Sequence, residues 1–389
     1  MTKFKDIIKN LDKPLLIMTV ILLLFGLVMI FSASNVTAYM NDQSAYNYFF
    51  RQAIFLIASF IISIVVIRFN TKAYGMLSYL LLLIVGIALV LVLFYGIESN
   101  NAHSWFAVGP ITIQPSEFAK IIMIVFMARY YEVNSDKLNR WTVSVVPLIV
   151  GAILTFLIVL QPDLGTAILF VLLVGLIFFI TPIPVKVKGK IVLGGIFVVM
   201  AVALFLLMSG KSLVYERQLE RFDFRDPCSR LLDTGNQVCN GYIALNNGGL
   251  TGVGLGNSTQ KYLYLPEPYT DFIFAVIVEE LGAIVGILLL LSFLFVLYRI
   301  IKIGRESYTN RGAIICYGVA IYLFLQIVVN LMGLLGLMPL TGVPLPFVSY
   351  GGSFTLCSIV ALTFVQRVNI ETKLRNGHVK MKKNNFIKS

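Results

Sequence analysis

The sequence predicts an all-α polytopic membrane protein, and three observations lead to this fold class. The 389 residues are 58% hydrophobic and 13% charged, with a mean hydropathy of +0.87, whereas soluble domains carry about 25% charged residues. Apolar runs of about 20 residues, the length that crosses a bilayer as a helix, recur along the chain. The short alternating strands of a membrane barrel are not visible in the sequence.

The apolar runs predict ten transmembrane helices, with one large polar loop, residues 210–270, between spans 7 and 8. The first run, Pro14 to Ala33, is long and lacks a clear small-residue cleavage site, so we interpret it as a span rather than a secretory signal. The predicted spans are residues 14–34, 51–67, 73–95, 115–131, 143–160, 164–181, 191–209, 271–298, 312–335 and 354–367.

The basic residues predict that both termini face the cytoplasm. With this orientation most of the 31 Lys and Arg lie on the inner side, and most of the 19 Asp and Glu do not. We therefore expect a cytoplasmic N-terminus (1–13), a single membrane domain (14–367) with an extracytoplasmic 210–270 loop, and a basic cytoplasmic tail (368–389). The net charge of +12 is then a topology signal rather than a nucleic-acid patch, and the tail is expected to contact anionic lipid headgroups or a partner.

Cysteine and histidine positions give no metal site. Cys228 and Cys239 lie in the predicted extracytoplasmic loop, where a disulfide and two free thiols both fit the sequence. The other two cysteines lie in predicted spans and are interpreted as packing residues. His103 and His378 are far apart, so the sequence contains no His/Cys cluster with metal-ligand spacing.

The motif QPSEFAK, residues 114–120, opens the fourth predicted span. Glu117 and Lys120 are three residues apart, so they share a helix face and can pair. Two interpretations stay open. The pair is either a structural ion pair near the interface, or it presents a cationic anchor for an anionic headgroup on the outer side.

The motif QPDLGTA, residues 161–167, forms a predicted hairpin between two spans. Pro162 stops one helix, and Asp163 can cap the next. The alternative is that Gln161 or Asp163 lines a cavity.

The polar loop contains two further candidate segments. Arg217 and Arg221 are four residues apart on an amphipathic stretch, where they either bind a pyrophosphate bidentately or are solvated charges of an interfacial helix. The glycine-rich residues 246–268 permit close approach to a substrate, with Gln260 and Lys261 as candidate substrate-binding residues. A flexible connection is the alternative.

The stretch MPLTGVPLPFVSYGGSF, residues 338–354, contains three prolines and cannot form an ordinary helix. Irregular backbone near a bilayer is tolerated only inside protein or against a cavity. We expect this stretch to form part of an outward-facing pocket wall, with Ser349 as a candidate substrate-binding residue.

The stretch LPEPYTDFIFAVIVEELG, residues 265–282, begins as a polar loop and becomes an apolar helix. Asp271 stands at the junction, where it is either a helix cap or a functional carboxylate. Glu279 and Glu280 would lie about 12–14 Å deeper, where an unpaired carboxylate is costly. We expect both glutamates to be buried against other spans, hydrogen-bonded or protonated, in a supporting role.

Six motifs in order resemble the SEDS family, the membrane proteins of bacterial shape, elongation, division and sporulation. The motifs are QPSEFAK, QPDLGTA, RFDFRDP, GGLTGVGLG, LPEPYTDFIFAVIVEELG and TGVPLPFVSYGGS, and the resemblance covers nearly the whole chain. It implies a peptidoglycan glycosyltransferase that polymerises lipid II on the outer face of the cytoplasmic membrane. It also implies a class B penicillin-binding protein and other divisome membrane proteins as partners. The chain looks most like the division branch, FtsW of Gram-positive bacteria, which implies enrichment at the septum; the elongation branch, RodA, is the alternative.

The resemblance also implies residue roles. The aspartate of TDFIF is the family's catalytic carboxylate, which maps onto Asp271. Many members have a histidine before this motif, where this chain has Tyr269, and a basic residue before an outer-loop tryptophan, where this chain has Ser104. The implied reaction is an inverting displacement, which needs one base on the attacking hydroxyl and positive charge at the leaving pyrophosphate.

Lys120, Arg217 and Arg221 are the candidates for stabilising that leaving group. A divalent cation (Mg or Mn) is an alternative for which the sequence shows no ligand set. Two other functions stay open: a lipid II transporter, which would explain Glu279 and Glu280 equally well, and a scaffold that recruits the transpeptidase.

Overall fold

The computed structural model describes residues 4–99, 102–109, 111–209, 227–229, 234–262 and 264–387. Within these ranges the chain is mostly helical, and a helix lies at each predicted span position. The helices are α1 (Phe4–Asn10), α2 (Lys13–Met40), α3 (Asn47–Val66), α4 (Thr71–Tyr95), α5 (Pro115–Val133), α6 (Trp141–Ser144), α7 (Val146–Val159), α8 (Leu164–Ile180), α9 (Val185–Ser209), α10 (Thr234–Gly248), α11 (Ile273–Glu306), α12 (Asn310–Leu334) and α13 (Gly352–Ile387), with short 3₁₀ turns at Ser135–Lys137 and Pro227–Ser229.

Seven helical segments among the described residues are long and apolar enough to cross a membrane. They are Lys13–Met40, Asn47–Val66, Thr71–Tyr95, Trp141–Val159, Ile273–Glu306, Asn310–Leu334 and Gly352–Gly377, and Leu164–Ile180 is apolar but shorter. The chain is therefore a multi-pass membrane protein, and the count of ten spans stays a prediction.

The all-α prediction misses a small antiparallel sheet between α4 and α5. Its strands are β1 (Ile97–Ser99), β2 (Ala102–Val108) and β3 (Ile111–Ile113), in the order β1-β2-β3. Phe106 pairs with Ile113, and Ile97 pairs with Trp105. Strands of three to seven residues are too short to give a clear alternating pattern beside the long apolar helices.

Helices α5, α12 and α13 form the centre of the bundle, and α3 and α4 lie at its periphery. Tyr131 of α5 and Tyr322 of α12 are among the largest fully buried side chains, whereas α3 exposes large apolar residues such as Phe60. An exposed apolar face is the expected surface against lipid. The central position of α5 also explains how a helix with four charged residues can lie within the bundle, because its polar groups contact protein.

The glycine-rich segment after α10 closes a break in α11. Gly282 has φ +87° and ψ 166°, which interrupts the helix. The backbone N–H groups of Val253 and Gly254 donate to the carbonyls of Glu279 and Glu280 at 2.9 Å each. A methyl group added at Gly252 would lie 2.2 Å from the Glu280 carbonyl oxygen, so only glycine permits this approach. The glycines of this segment were predicted to permit close approach to a substrate. In the structure they permit close approach to the backbone of α11.

A disulfide joins Cys228 to Cys239, across a sequence separation of 11. It ties the Pro227–Ser229 turn to α10, so of the two arrangements that the sequence left open the structure has the bridge. Cys316 and Cys357 are free and buried, in line with their expected packing role.

The end of the bundle that carries both termini is closed by polar contacts between helices. Asp12 forms an ion pair with Arg299, and Gln366 donates to the Asp12 carbonyl at 3.0 Å. Asn369 of α13 donates to the carbonyl of Asn10 at 2.8 Å. These contacts fix α1 and the start of α2 against α11 and α13.

Candidate active site

Asp271 lies two residues before α11, and it does not cap this helix. The cap position is occupied by Phe272, and no side chain makes a capping hydrogen bond there. The predicted eighth span began at residue 271, whereas the helix begins at Ile273. Asp271 is partly exposed, while the residues that follow it are buried. The structure therefore removes the capping explanation for this carboxylate.

The backbone around Asp271 is held by three donors from distant parts of the chain. Three consecutive carbonyl groups, those of residues 269–271, accept hydrogen bonds from the Tyr350 N–H at 2.9 Å, the Ser349 hydroxyl at 2.7 Å and the Asn330 amide at 2.8 Å, in that order. We call this arrangement the carbonyl clamp. It anchors the segment before α11 to the end of α12 and to the irregular residues 335–351.

Residues 335–351 have no regular secondary structure, and Gly342 within them lies beside Asp271. Gly342 has φ +67°, and a methyl group added to it would lie 3.5 Å from Asp271 Oδ2. Helix α2 packs tightly on the other side, since a methyl group at Gly26 would lie 2.4 Å from the Phe347 carbonyl oxygen. The segment is therefore a wall beside Asp271 that is held inside protein, as expected for irregular backbone at this depth.

The surroundings of Asp271 favour its neutral form. Partial burial of the carboxyl raises the pKa of Asp271 to about 7, and the negative charge of Glu267 adds to this effect. The neighbouring Thr270 side chain opposes the shift. A carboxyl group with a pKa near neutrality can accept a proton at physiological pH more effectively than an ordinary aspartate can.

An aromatic cluster lies next to this segment. The rings of Tyr48 and Tyr269 are 4.6 Å apart between centroids, and Tyr350 lies 5.3 and 5.7 Å from them. Burial raises the pKa of Tyr350, and the positive charge of Arg51 of α3 opposes this shift. Burial and the charge of Glu267 raise the pKa of Tyr269, so its phenol stays neutral. Tyr269 thus packs in a neutral aromatic contact.

The motif QPDLGTA lies against the same wall. A methyl group at Gly165 would lie 2.8 Å from the Thr341 carbonyl oxygen. Asp163 caps α8 by accepting from the Thr166 N–H at 3.0 Å, and its second oxygen accepts from the Gln114 amide at 3.1 Å. Capping is therefore the observed contact of Asp163, and Gln114 links this hairpin to QPSEFAK.

Gln161 of the same motif is buried. Its side-chain amide donates to the Leu89 carbonyl at 3.1 Å, and its side-chain carbonyl oxygen has no partner among the described residues. It joins the hairpin to α4.

Glu117 and Lys120 form the predicted ion pair, with Lys120 Nζ 2.7 Å from Glu117 Oε1. Both side chains are buried, and Lys120 also lies 5.6 Å from the ring centroid of Tyr322. The second oxygen of Glu117 has no partner among the described residues. The observed contact of Lys120 is therefore an ion pair within the bundle.

Lys261 and Glu280 form a second buried ion pair, at 2.8 Å and without exposure of either side chain. Lys261 Nζ also donates to the Gly256 carbonyl at 2.7 Å. The Ser32 hydroxyl lies 2.8 and 2.7 Å from the two oxygens of Glu280. Lys261 was a candidate substrate-binding residue, but its donors are directed to Glu280 and the protein backbone.

Glu279 is buried and lies among several donors. These are the side chains of Asn247, Ser258 and Thr259 and the backbone N–H groups of Thr259 and Gln260. The expectation that Glu279 and Glu280 are buried and hydrogen-bonded is confirmed. Gln260 contacts Glu279 through its backbone, and its side-chain oxygen has no partner among the described residues.

Two candidate residues, Arg217 and Arg221, lie outside the described residues. Within the described ranges, no group of three or more His, Cys, Asp or Glu side chains is arranged to hold a metal ion.

Four residues around Asp271 and its aromatic neighbours were not predicted from the sequence, namely Arg51, Glu267, Asn330 and Gly342. Glu267 had a local signal, since it lies four residues before Asp271 in the same quoted stretch. Asn330, a polar residue inside an apolar span, had a weaker one. Gly342 had none beyond its place in a proline-rich stretch.

The chain is similar to known proteins over most of its length. The model of the family described as "Cell cycle protein", which covers FtsW, RodA and SpoVE, matches residues 13–374. FtsW of Bacillus subtilis, named a "probable peptidoglycan glycosyltransferase", is 36% identical over 95% of this chain and 93% of its own. The stage V sporulation protein E of Bacillus subtilis is 34% identical over 92% of this chain and 96% of its own.

Two solved structures share the fold. A chain of a peptidoglycan synthase complex, described for its coordination of polymerization and crosslinking, superimposes with a TM-score of 0.73 at 25% identity, covering 92% of this chain and 97% of that one. The rod shape determining protein RodA of Thermus thermophilus superimposes with a TM-score of 0.64 at 25% identity, covering 92% of this chain and 96% of that one.

Proposed function

Because the chain belongs to the FtsW, RodA and SpoVE family of cell cycle proteins, we propose that it is a peptidoglycan glycosyltransferase that polymerises lipid II. The growing glycan is made on the outer face of the cytoplasmic membrane and serves septal synthesis in cell division. The names of the FtsW relatives and the fold shared with a peptidoglycan synthase complex support this activity.

The proposed reaction is an inverting displacement at the donor sugar. Asp271 accepts the proton of the attacking acceptor hydroxyl, the new β-1,4 bond forms, and the undecaprenyl pyrophosphate leaves. The observation that carries this assignment is the state of Asp271: the residue is partly exposed, it caps no helix, and burial of its carboxyl raises the pKa to about 7. Such a group is suited to general base catalysis near neutral pH.

The remaining candidates divide between binding and support. Positive charge at the leaving pyrophosphate would come from Lys120, Arg217 and Arg221, or from a divalent cation, and activity in the presence of EDTA separates these sources. Ser349 and Lys261 are reassigned to support, because their donors are directed to the Thr270 carbonyl and to Glu280.

The proposal includes an arrangement in the membrane. Ten helices span it, both termini lie in the cytoplasm, and Asp271 lies at the outer surface. The partner is a class B penicillin-binding protein, whose transpeptidase domain would crosslink the strands. The basic residues near the terminal segments support the orientation, and the fold shared with a synthase complex that couples polymerization to crosslinking supports the partner.

A lipid II transporter is disfavoured by the contacts of the two buried glutamates. Glu280 is paired with Lys261, and Glu279 is surrounded by donors. Carboxylates held this way have a structural explanation and do not require a moving substrate path.

The test is polymerisation of lipid II by the purified protein with its class B partner in detergent, where no membrane gradient exists. We expect glycan chains from the wild-type protein and none from Asp271→Asn. The matched control is Asp42→Asn, which alters an exposed aspartate in the connection between α2 and α3. Near wild-type polymer formation by folded Asp271→Asn would refute the base assignment, and no polymer from the wild-type complex would favour a transporter or scaffold.

A further inference from the structure

Asn330 is the side chain that joins Asp271 to the wall facing it. It lies in the last turns of α12 and is 5% exposed. Its amide nitrogen donates to the Asp271 carbonyl at 2.8 Å and to the Val343 carbonyl at 2.8 Å. A side-chain amide has two N–H groups, so both are used. The opposite amide orientation would place oxygen against two carbonyl oxygens, and the two bonds therefore determine which way the side chain faces.

The two carbonyls belong to the two sides of the candidate site. Asp271 carries the carboxylate on one side. On the other side, Val343 follows Gly342, and a methyl group added to Gly342 would be in van der Waals contact with Asp271 Oδ2. Asn330 thus links the backbone that carries the carboxylate to the backbone of the wall. The other two donors of the carbonyl clamp, Ser349 and the Tyr350 N–H, act on residues 269 and 270 and belong to the wall itself.

We propose that Asn330 is a positioning residue for the glycosyl transfer, which holds Asp271 against the Gly342 wall so that its carboxylate reaches the acceptor hydroxyl. This inference rests on the function proposed above. Asn330 touches the Asp271 backbone and acts through Asp271. The physical basis of this positioning role is that the rate of proton transfer depends steeply on geometry, since a displacement of about 1 Å can lower a rate about 100-fold.

The experiment compares Asn330→Ala with a matched asparagine elsewhere in the bundle. Asn369 is 4% exposed and donates from its side-chain amide to the Asn10 carbonyl at 2.8 Å, at the opposite end of the fold. Both variants are purified with the class B partner, and kcat and KM for lipid II polymerisation are measured together with the melting temperature. We expect Asn330→Ala to lower kcat about 10- to 100-fold with KM within about twofold of wild type. Asn369→Ala should retain kcat.

A second variant keeps the test valid if Asn330→Ala does not fold. Asn330→Gln retains both N–H groups but lengthens the side chain by one methylene, so it should fold and still lower kcat. The inference is overturned if a folded Asn330 variant retains wild-type kcat, if KM rises while kcat is unchanged, or if Asn369→Ala loses kcat to the same extent.

Failure of this inference is distinguishable from failure of the proposed function. If Asp271→Asn is inactive while Asn330→Ala and Asn330→Gln are fully active, only the positioning role is wrong. If Asp271→Asn retains activity, the base assignment is wrong, and the positioning role falls with it.

Discussion

Two regions of one short stretch carry carboxylates with different surroundings. Asp271 lies at one end of the stretch, and Glu279 and Glu280 lie at the other. Glu280 is paired with Lys261 and contacts Ser32, and Glu279 lies among several donors. Around Asp271 the strong donors are directed to backbone carbonyls, and the carboxyl itself is left with Thr270 and a repelling Glu267. Both glutamates therefore have partners within the protein, whereas Asp271 is held through its backbone and its carboxyl is available for chemistry.

The largest effect is expected from a substitution of Asp271, which should lower activity without lowering stability. Asp271→Asn should lower lipid II polymerisation about 100- to 10,000-fold, the usual range for loss of a general base, while the melting temperature stays near that of wild type. A gel assay of polymer length with purified complex measures the first quantity, and thermal unfolding measures the second. A large fall in the melting temperature of Asp271→Asn would show that Asp271, like the two glutamates, is needed for stability.

The opposite result is expected at the buried ion pair. Lys261→Met leaves Glu280 without its cation, and breaking a buried pair in this way costs about 3–5 kcal/mol of folding free energy. Thermal unfolding should show the loss, and the folded fraction should retain its kcat. Lys137→Met, at an exposed lysine, is the control. Loss of kcat in fully folded Lys261→Met would assign this lysine to substrate binding after all. Glu280→Gln should likewise lower stability without lowering intrinsic activity.

A smaller effect is expected at the helix break that supports both glutamates. Gly282 has a backbone conformation that is essentially restricted to glycine, and an added methyl group would lie 2.2 Å from the Leu250 carbonyl oxygen. Gly282→Ala should therefore lower the unfolding free energy by at least about 1–3 kcal/mol. Gly175→Ala is the control, since Gly175 lies in α8 with open space around it and alanine favours helix there. Equal melting temperatures for the two variants would show that the break can shift at little cost.

The smallest effect is a change in pH dependence. Ionised Asp271 is required as the base, so kcat/KM should fall as the pH drops below about 7. Glu267 raises the pKa of Asp271 by its negative charge, so Glu267→Gln should lower that pKa and move the acidic limb to lower pH. Initial rates measured from pH 5 to 9 report the limb. A shift to higher pH would contradict the sign of this coupling.

Local spacing predicted the features that depend on neighbours in sequence. The apolar runs located the helices, because about 20 apolar residues are needed to cross a bilayer. The three-residue spacing of Glu117 and Lys120 predicted their ion pair. The cost of a carboxylate in hydrocarbon predicted that Glu279 and Glu280 are buried with partners.

Sequence patterns were thus sufficient to predict the membrane fold class, the helix positions and the stretch that carries Asp271. The partners of each polar group are set by the tertiary structure. Asn330 lies 59 positions from Asp271, and Ser32 lies 248 positions from Glu280. No periodicity relates such pairs, because their contact depends on how whole helices pack. The distinction between a carboxylate that stabilises and one that is available to react was therefore fixed by long-range packing, after the helices themselves had been specified locally.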